Sequence, residues 1–407
     1  MNRRVVVTGM SGVTAFGNDW QSVEPKLRDC QNATQYMPSY EQYDGLNTKL
    51  AAPILDFELP KHYKRKQVRG MGRVSKLATV ATENALSQAG LIGNDVLTNG
   101  QTGIAYGSST DSTDAIGAFG VMLNEKTTKA ITATTYVQMM PHTTAVNVGL
   151  FFGLKGRVIP TSSACTSGSQ AIGYAYEAIK HGYQTVMVAG GAEELCPTES
   201  AVFDTLFATS LKNEYPKSTP RPYDSDRDGL VIGEGAGTLV LEEYEHAVAR
   251  GAKIYAEVIG FASNCDAAHV TQPQMETMQI CMEMAMQNAG IPAEKIDYVS
   301  AHGTATDRGD IAESNATANA LGKVPISSLK SYFGHTLGAC GAIEAWLGLE
   351  MMHTGWFNPT LNLENLDEQC GDLDYIAGQG RELDVKYLMS NNFAFGGINT
   401  SIIFKKM

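Results

Sequence analysis

The chain has 407 residues, of which 43% are hydrophobic and 18% charged, so it resembles an ordinary folded protein and is long enough for two domains or two halves that share a core. Its formal net charge of −12 argues against attraction of the whole molecule to nucleic acid phosphates or anionic lipid. No stretch is apolar enough to span a membrane, and the apolar run from Val5 to Val7 is too short for a signal peptide.

Seven cysteines are scattered along the chain, and no two of them form a Cys-x-x-Cys pair. The odd number and the wide spacing argue against a disulfide framework and against a cysteine-based zinc site. We therefore expect a reduced, cytoplasmic protein.

Short apolar strands alternate with amphipathic helices, which is typical of an α/β fold. In chain order, the patterns predict a strand at 4–8, a helix at 72–89, a strand at 102–106 and a helix at 168–180 that ends before Gly182. Further strands are expected at 185–190, 237–242, 387–395 and 400–404.

A basic run precedes the first long helix. It contains no acidic residue and consists of Lys61, Lys64, Arg65, Lys66, Arg69 and Arg73. Such a run is usually a solvated surface, and nothing in the chain interleaves aromatic and basic residues as a nucleic-acid-binding motif does. We expect no nucleic acid partner.

Two segments of the chain resemble each other. An apolar strand from Val158 leads into Cys165 and a helix rich in small residues, and a second strand from Val324 leads through Lys330 and His335 into another such helix. The sequence therefore predicts a duplicated protein, with one half at 1–251 and the other at 252–407. A shared interface between the halves is where a ligand site is expected.

Cys165 is the candidate nucleophile. It follows a strand and small residues and precedes the helix at 168–180, so it lies at a helix N-terminus. Free N–H groups and the helix dipole favour a thiolate there, the reactive form of cysteine. Most cysteines are buried and inert, and we give that interpretation to the other six.

Two of the eight histidines, His302 and His335, lie among glycines and hydroxyl residues at predicted strand ends. A cysteine with two imidazoles forms a coherent acyl-transfer site. From residue types alone, a thiol hydrolase or a non-elongating acyltransferase remains the alternative. The local signatures of cysteine proteases are missing. We expect no metal, because the two histidines stand on separate segments without nearby ligands.

A glycine-rich segment, Gly233 to Gly237, precedes a strand instead of following one into a helix, so it predicts close backbone packing and not a nucleotide site.

Several motifs together resemble one family over essentially the whole chain: Ser163-Ala-Cys165, Ala189-Gly-Gly-Ala-Glu193, Arg221-Pro-Tyr-Asp224, Arg227-Asp-Gly229, His302-Gly-Thr304, Lys330-Ser, Gly334-His335 and Asn392-Phe-Ala-Phe395-Gly-Gly397. The chain is similar to the elongating β-ketoacyl-[acyl carrier protein] synthases of types I and II. The resemblance implies the thiolase fold, with duplicated halves in five layers (αβαβα). It also implies a decarboxylative condensation that extends an acyl chain by two carbons, in fatty acid, polyene or polyketide biosynthesis.

By matching motif positions, the resemblance implies that Cys165 accepts the acyl group, that His302 and His335 activate the malonyl thioester, and that Lys330 supports them. It further implies an ion pair of Lys330 with Glu344. Substrate-binding residues are expected at Thr304 and Thr306 for a phosphopantetheine arm, at Phe395 as a gate and at Thr110 near the acyl pocket.

An acyl carrier protein is the partner that the resemblance implies, and because it brings the phosphopantetheine arm, no bound cofactor is expected. The docking candidates are Lys66, Arg69 and Lys212, with Lys126 and Lys129 weaker. The resemblance also implies a homodimer, with a heterodimer containing a paralogous chain-length factor as the alternative. Departures from the family pattern border the expected site, at Leu230, Asp307, Phe333 and Ala394.

Overall fold

A computed structural model describes residues 2–140 and 142–407 and contains one large sheet of eleven strands with helices on both faces. Met1, where the first predicted half begins, lies outside the described residues. The strands are β1 (Val5–Val13), β2 (Gln35–Tyr36), β3 (Leu50–Ala52), β4 (Thr102–Gly107), β5 (Val158–Thr161), β6 (Val186–Glu193), β7 (Ile232–Gly233), β8 (Gly235–Glu243), β9 (Ala256–Cys265), β10 (Tyr298–Ser300), β11 (Pro325–Ser327), β12 (Trp356–Phe357), β13 (Asp374–Tyr375), β14 (Arg381–Glu382), β15 (Tyr387–Ala394) and β16 (Ile398–Lys406).

The helices are α1 (Trp20–Arg28), α2 (Arg65–Val68), α3 (Arg73–Gln88), α4 (Asp114–Glu125), α5 (Thr135–Met139), α6 (Thr143–Phe152), α7 (Ser167–Lys180), α8 (Pro197–Thr205), α9 (Tyr244–Ala249), α10 (Met275–Ala289), α11 (Asp307–Leu321), α12 (Lys330–Phe333) and α13 (Cys340–Thr354). Within the described residues, none of these helices has the length and apolar character that crossing a membrane requires.

The large sheet repeats one pairing pattern. In β5-β4-β6-β8-β1 the first two pairings are parallel and the next two antiparallel, and β11-β10-β15-β16-β9 follows the same scheme. Antiparallel pairing of β1 with β9 joins the two sets into one sheet. The boundary predicted near residue 251 falls between α9 and β9. Its exact position stays a prediction.

Helices complete the layers. α3 and α6 cover one face of the first set of strands, α10 covers strands of the second set, and α11 packs on α10. α7 and α13 pack against each other and against strands of both sets, so they form the central layer. The duplicated, five-layer thiolase fold expected from the sequence is confirmed. The apolar face of α7, which includes Ala171, Ile172 and Ala175, is fully buried.

Strand β1 is longer than the predicted strand at 4–8, because Gly9 does not end it. A Cβ atom at Gly9 would lie 2.2 Å from the carbonyl oxygen of Ala85 in α3, so the glycine permits α3 to cross the strand closely. The segment from Gly233 to Gly237 likewise packs tightly: a Cβ at Gly233 would lie 2.1 Å from the carbonyl oxygen of Phe333. That contact brings the segment against the chain just before His335.

Candidate active site

Cys165 lies in a tight turn between β5 and α7. The turn is a short 3₁₀ segment, Ala164–Thr166, in which Ala164 has a positive φ of 50°. Ser167 stabilises the turn, because its hydroxyl donates to the Ala164 carbonyl at 2.7 Å and accepts from the Ser163 N–H at 2.9 Å. These small hydroxyl residues hold the Cys165 side chain at the start of α7, where it is only 4% exposed.

His335 follows α12 and faces the cysteine. Its Nε2 lies 3.0 Å from the Sγ of Cys165. The main-chain N–H of Leu337 donates to its Nδ1 at 3.2 Å. Since Nδ1 accepts this bond, the proton of the neutral ring resides on Nε2, which is therefore a donor directed at the sulfur.

His302 follows β10 and lies beside His335, with the two ring centroids 5.2 Å apart and the rings nearly perpendicular. The Glu313 carboxylate holds this loop by accepting from the main-chain N–H groups of His302 and Gly303, both at 2.7 Å. The amide nitrogen of Asn392 lies 3.4 Å from the Nδ1 of His302. A donor on this side leaves the Nε2–H of His302 facing the cavity, as in His335.

A buried cation supports the three side chains. The Nζ of Lys330 lies 2.5 Å from the carboxylate of Glu344, and that carboxylate also accepts from the Asn392 amide at 2.7 Å. Burial acts to lower the pKa of Lys330, but Cys340 and Glu344 outweigh it, so that its pKa is raised. The expected pairing of Lys330 with Glu344 is present, and the charge of the lysine is retained.

Burial and the Lys330 charge lower the pKa of both His302 and His335 well below the usual histidine range. Both rings are therefore neutral at neutral pH. Each can then donate one N–H without carrying a charge of its own.

The helix-start position favours a thiolate at Cys165, but burial of the side chain acts against it. Burial raises the pKa of Cys165 to about 11, although Lys330 and the main-chain N–H groups of Phe395 and Cys165 act to lower it. The sequence pattern placed the residue correctly at a helix start but gave no measure of desolvation, which dominates here.

Cys165, His302 and His335 bring one potential metal-ligand atom each to within 4.8 Å of the others. The sequence separation used above to argue against a metal site is thus removed by folding. The buried ammonium of Lys330, however, acts on all three groups and opposes the binding of a dication at the same place. The absence of a resident metal stays a prediction.

A cavity of about 540 Å³ leads from these three residues to the surface. Its floor is buried and its opposite end is exposed, at Phe207 and Arg308 among others. Thr304 and Thr306 line it, and their hydroxyls are 2.9 Å apart. Phe395 also lines it, with its ring centroid 5.0 Å from that of Phe203. These three predicted residues therefore lie where a long arm would pass.

Thr110 is not brought to this cavity. It is exposed, and its hydroxyl donates to the buried carboxyl of Glu199 at 3.2 Å. Glu199 stands one helical turn before Phe203 in α8. The sequence gave no sign of this polar neighbour, and the role of Thr110 near an acyl pocket stays a prediction.

The predicted docking lysines and arginines differ in their surroundings. Lys66 in α2 and Arg69 just after it are exposed, and neither has an ion pair among the described residues. Lys212, by contrast, donates to the Asp226 carbonyl at 2.7 Å and lies 3.8 Å from Asp228. Arg73, the last member of the basic run, pairs with Glu234 at 2.7 Å.

The weaker docking candidates are also engaged locally: Lys126 donates to the Leu123 carbonyl at 2.7 Å, and Lys129 pairs with Glu125 at 2.6 Å. Lys66 and Arg69 therefore remain the stronger candidates.

Three functional neighbours were given no role from the sequence: Phe203, Glu313 and Asn392. Glu313 and Asn392 orient His302, and Phe203 packs on Phe395. The role of Asn392 could have been inferred from the sequence, because Asn392 begins the Asn392-Phe-Ala-Phe395 motif. The other two are distant in sequence from the residues that they contact.

A thiol with two neutral imidazole donors and a buried lysine, on a duplicated thiolase fold, defines a site for acyl transfer through a covalent cysteine thioester. The family model of the β-ketoacyl synthase N-terminal domain matches residues 2–247, and that of the β-ketoacyl synthase C-terminal domain matches residues 255–364. The chain belongs to the β-ketoacyl synthase family.

Similar proteins agree with this assignment. A 3-oxoacyl-[acyl-carrier-protein] synthase 2 from Vibrio cholerae is 38% identical, covering 100% of this chain and 99% of that protein. A crystal structure of a β-ketoacyl synthase from Burkholderia phymatum is 58% identical, with a TM-score of 0.98 and full coverage of both chains. A type II polyketide synthase ketosynthase solved with its acyl-carrier protein and a hexaketide is 30% identical, with a TM-score of 0.89 and full coverage of both chains.

Proposed function

We propose that the chain is a β-ketoacyl-[acyl carrier protein] synthase, which holds an acyl chain on Cys165 and condenses it with malonyl-carrier protein in fatty acid or related polyene or polyketide biosynthesis. The observation that carries the proposal is the meeting of Cys165, His302 and His335 at the floor of one cavity. The cysteine comes from the first half of the chain and the histidines from the second.

In the first step, the Cys165 sulfur attacks the carbonyl carbon of an acyl thioester. A new C–S bond forms, the bond to the carrier thiol breaks, and the proton of Cys165 leaves with that thiol. The main-chain N–H groups of Cys165 and Phe395 lie near the sulfur and are placed to stabilise the oxyanion. The Nε2–H of His335, 3.0 Å from the sulfur, stabilises the developing thiolate.

In the second step, malonyl-carrier protein enters the cavity and loses carbon dioxide. The electrons of the broken C–C bond form an enolate, whose oxygen accepts hydrogen bonds from the Nε2–H groups of His302 and His335. The enolate carbon then attacks the acyl carbonyl on Cys165. The C–S bond breaks, and the product is two carbons longer.

The remaining site residues support these steps. Burial and the positive charge of Lys330 together keep both histidines neutral, and Glu344 holds the lysine in place. Thr304 and Thr306 contact the phosphopantetheine arm, and Phe395 gates the cavity. The carrier protein supplies that arm, so the enzyme needs no cofactor of its own. The need for a free thiol at Cys165 supports a reducing, cytoplasmic setting.

The enzyme is proposed to form a homodimer through β5. This strand ends the large sheet, and its outer edge has no partner within the described part of the chain. Val158 in the strand is 47% exposed, and nearby Leu150 is 76% exposed. An apolar unpaired edge favours pairing with a second copy. Mass photometry tests this: Val158→Lys is expected to give monomers, and unchanged dimers would place the interface elsewhere.

Intact-protein mass spectrometry tests the proposed reaction. The protein is mixed with acyl-carrier proteins of different chain length and unsaturation, and malonyl-carrier protein is then added. The expected result is an acyl mass on the Cys165 peptide that passes into a product two carbons longer. Cys165→Ala serves as the control and is expected to fold but not to load.

The same experiment addresses the alternative activities. Release of the acyl group to water would identify a thiol hydrolase, and transfer to another thiol without elongation would identify a simple acyltransferase. Failure to load any acyl group would remove the role of Cys165.

A further inference from the structure

One charged side chain on the cavity wall has no partner of opposite charge among the residues that the structure describes. The charged residues that line the cavity, apart from its histidines, are Arg227, Asp228, Asp266, Asp307, Arg308 and Glu313. Five of these six are held by contacts with other protein groups. Arg308 forms neither a salt bridge nor a side-chain hydrogen bond with the described residues.

The other cation on the wall, Arg227, is neutralised. Its guanidinium lies 2.7 Å from Asp367, 3.2 Å from Asp307 and 3.8 Å from Asp310. Pairing with Arg227 also engages Asp307, the immediate neighbour of Arg308. The positive charge of Arg308 is therefore not cancelled by the carboxylate beside it.

The remaining carboxylates on the wall are also engaged. Asp228 accepts from the Leu211 N–H at 2.8 Å, and Asp266 accepts from the Asn399 amide at 2.7 Å. Glu313 accepts from the loop of His302 at the buried end. Each of these carboxylates has a hydrogen-bond donor elsewhere, and none of them forms a salt bridge with Arg308 among the described residues.

Arg308 also lies at the open end of the cavity, far from its buried floor. It is the second residue of α11, directly after the loop that carries Thr304 and Thr306, and it is exposed whereas His302 is buried. The side chain thus occupies the open end of the cavity. A ligand whose reactive group reaches Cys165 has its opposite end at this position.

We propose that Arg308 binds the phosphodiester of the phosphopantetheine arm at the mouth of the cavity. This inference rests on the proposed function, because the arm carries its thioester at one end and its phosphate at the other. An arginine guanidinium offers paired N–H donors that match phosphate oxygens, and such charge-assisted bonds are stronger than neutral ones. Arg308 is thus assigned to the phosphate end of the substrate, separately from the threonines that line the path.

The test compares three malonyl donors with one acyl group already loaded on Cys165: malonyl-pantetheine, which lacks the phosphate, malonyl-phosphopantetheine, and malonyl-carrier protein. For Arg308→Gln, KM for malonyl-phosphopantetheine is expected to rise by about tenfold, the usual scale for one charge-assisted hydrogen bond. KM for malonyl-pantetheine is expected to stay unchanged, and kcat is expected to stay unchanged with both. Arg308→Lys is expected to show a smaller rise.

Lys323→Gln is the matched control, because Lys323 follows the far end of α11 and pairs with Asp372 on the surface. An equal rise in KM for all three donors would overturn the proposal. A rise in KM confined to malonyl-carrier protein would also overturn it, because it would identify a contact with the protein surface of the carrier. Condensation by the wild type with malonyl-carrier protein is scored separately. If that reaction fails, the proposed function fails, whatever Arg308 does.

Discussion

The main-chain N–H of Leu337 and the Nδ1 of His335 are joined by a hydrogen bond of 3.2 Å, which fixes the proton of the neutral ring on Nε2. That nitrogen faces the sulfur of Cys165. His335 is therefore set to donate a hydrogen bond and not to accept a proton. Its function can then be reproduced in part by another uncharged donor.

We expect His335→Gln to retain more decarboxylation of malonyl-carrier protein than His335→Ala, because the glutamine amide offers an N–H near the position of Nε2. The alanine variant is expected to lose about 10²–10³-fold, as in the removal of one oxyanion donor. Carbon dioxide release from an acyl-loaded enzyme measures both. Equal losses in the two variants would contradict the donor role.

The pKa of about 11 at Cys165 predicts the pH dependence of its alkylation. The thiolate fraction of a thiol rises with pH until its pKa is passed, so the alkylation rate by iodoacetamide should still increase between pH 8 and pH 10. Peptide mass spectrometry gives the rate at Cys165 alone. A plateau below pH 8 would instead show a resting thiolate, as the helix-start position suggested.

Replacing Lys330 should raise the pKa of Cys165 further. Its charge acts to lower the pKa of Cys165, so Lys330→Met should slow alkylation at any fixed pH in this range. The control is Lys323→Met, which removes a lysine from the surface and should leave the rate unchanged.

Glu344→Ala is expected to cost about 3–5 kcal/mol in the free energy of unfolding, because it leaves the buried Lys330 ammonium without its partner. Both side chains are nearly inaccessible to solvent. Urea denaturation measures the loss. Asp372→Ala, which breaks the exposed pair with Lys323, is the control and should change stability little. Similar stability of the two variants would show that the buried pair contributes no more than a surface pair.

Because Glu199 is buried, we expect it to make the free energy of unfolding decrease as pH rises. Burial and the nearby Glu193 raise its pKa well above the usual range, so the folded protein keeps a proton that the unfolded chain releases above a pKa of about 4.3. The folded state therefore loses relative stability as pH increases beyond that value. Glu199→Gln should weaken this dependence between pH 5 and pH 8.

Urea denaturation of Glu199→Gln and wild type at the two pH values gives the comparison. Glu294→Gln, on the surface, is the control variant. If the difference between wild type and Glu199→Gln were the same at pH 5 and pH 8, Glu199 would have to be ionised in the folded protein.

Reversing Lys66 and Arg69 to Glu should weaken binding of the carrier protein, because both residues are exposed cations on a chain of net charge −12. Binding by the wild type should also weaken as salt is added. The control reverses Lys295 and Lys323, which changes net charge equally. Unchanged affinity in the first variant would exclude this docking surface.

The α/β class and the duplication were predictable because the chain alternates short apolar strands with helices and repeats one order of motifs. The thiolase fold was implied by the family resemblance. The predicted helix at 72–89 is one residue longer than α3 at each end, and the predicted helix at 168–180 starts one residue after α7 does. Cys165, His302 and His335 were singled out because each stands in a distinct glycine or hydroxyl context, whereas the role of Lys330 was implied by the family resemblance. Local patterns of this kind are visible in a single sequence.

What the sequence could not provide depends on contacts between distant segments. The raised pKa of Cys165 comes from burial, which the turn alone does not reveal. The partner of Thr110 is Glu199, and its position follows from the packing of α8. Lys212, a docking candidate from the sequence, donates to the Asp226 carbonyl and lies near Asp228. Its role in docking stays a prediction.

The split of the site between the two halves has a practical consequence for handling the protein. The nucleophile follows β5, whereas both imidazoles follow strands of the second set, so no partly folded chain can complete a turnover. The catalytic activity per mole of protein is therefore proportional to the fraction of molecules in which both halves have folded and packed together. An active-site titration with a thiol-specific acyl donor would serve as a quality assay for any preparation or variant, more demanding than a spectrum of secondary structure.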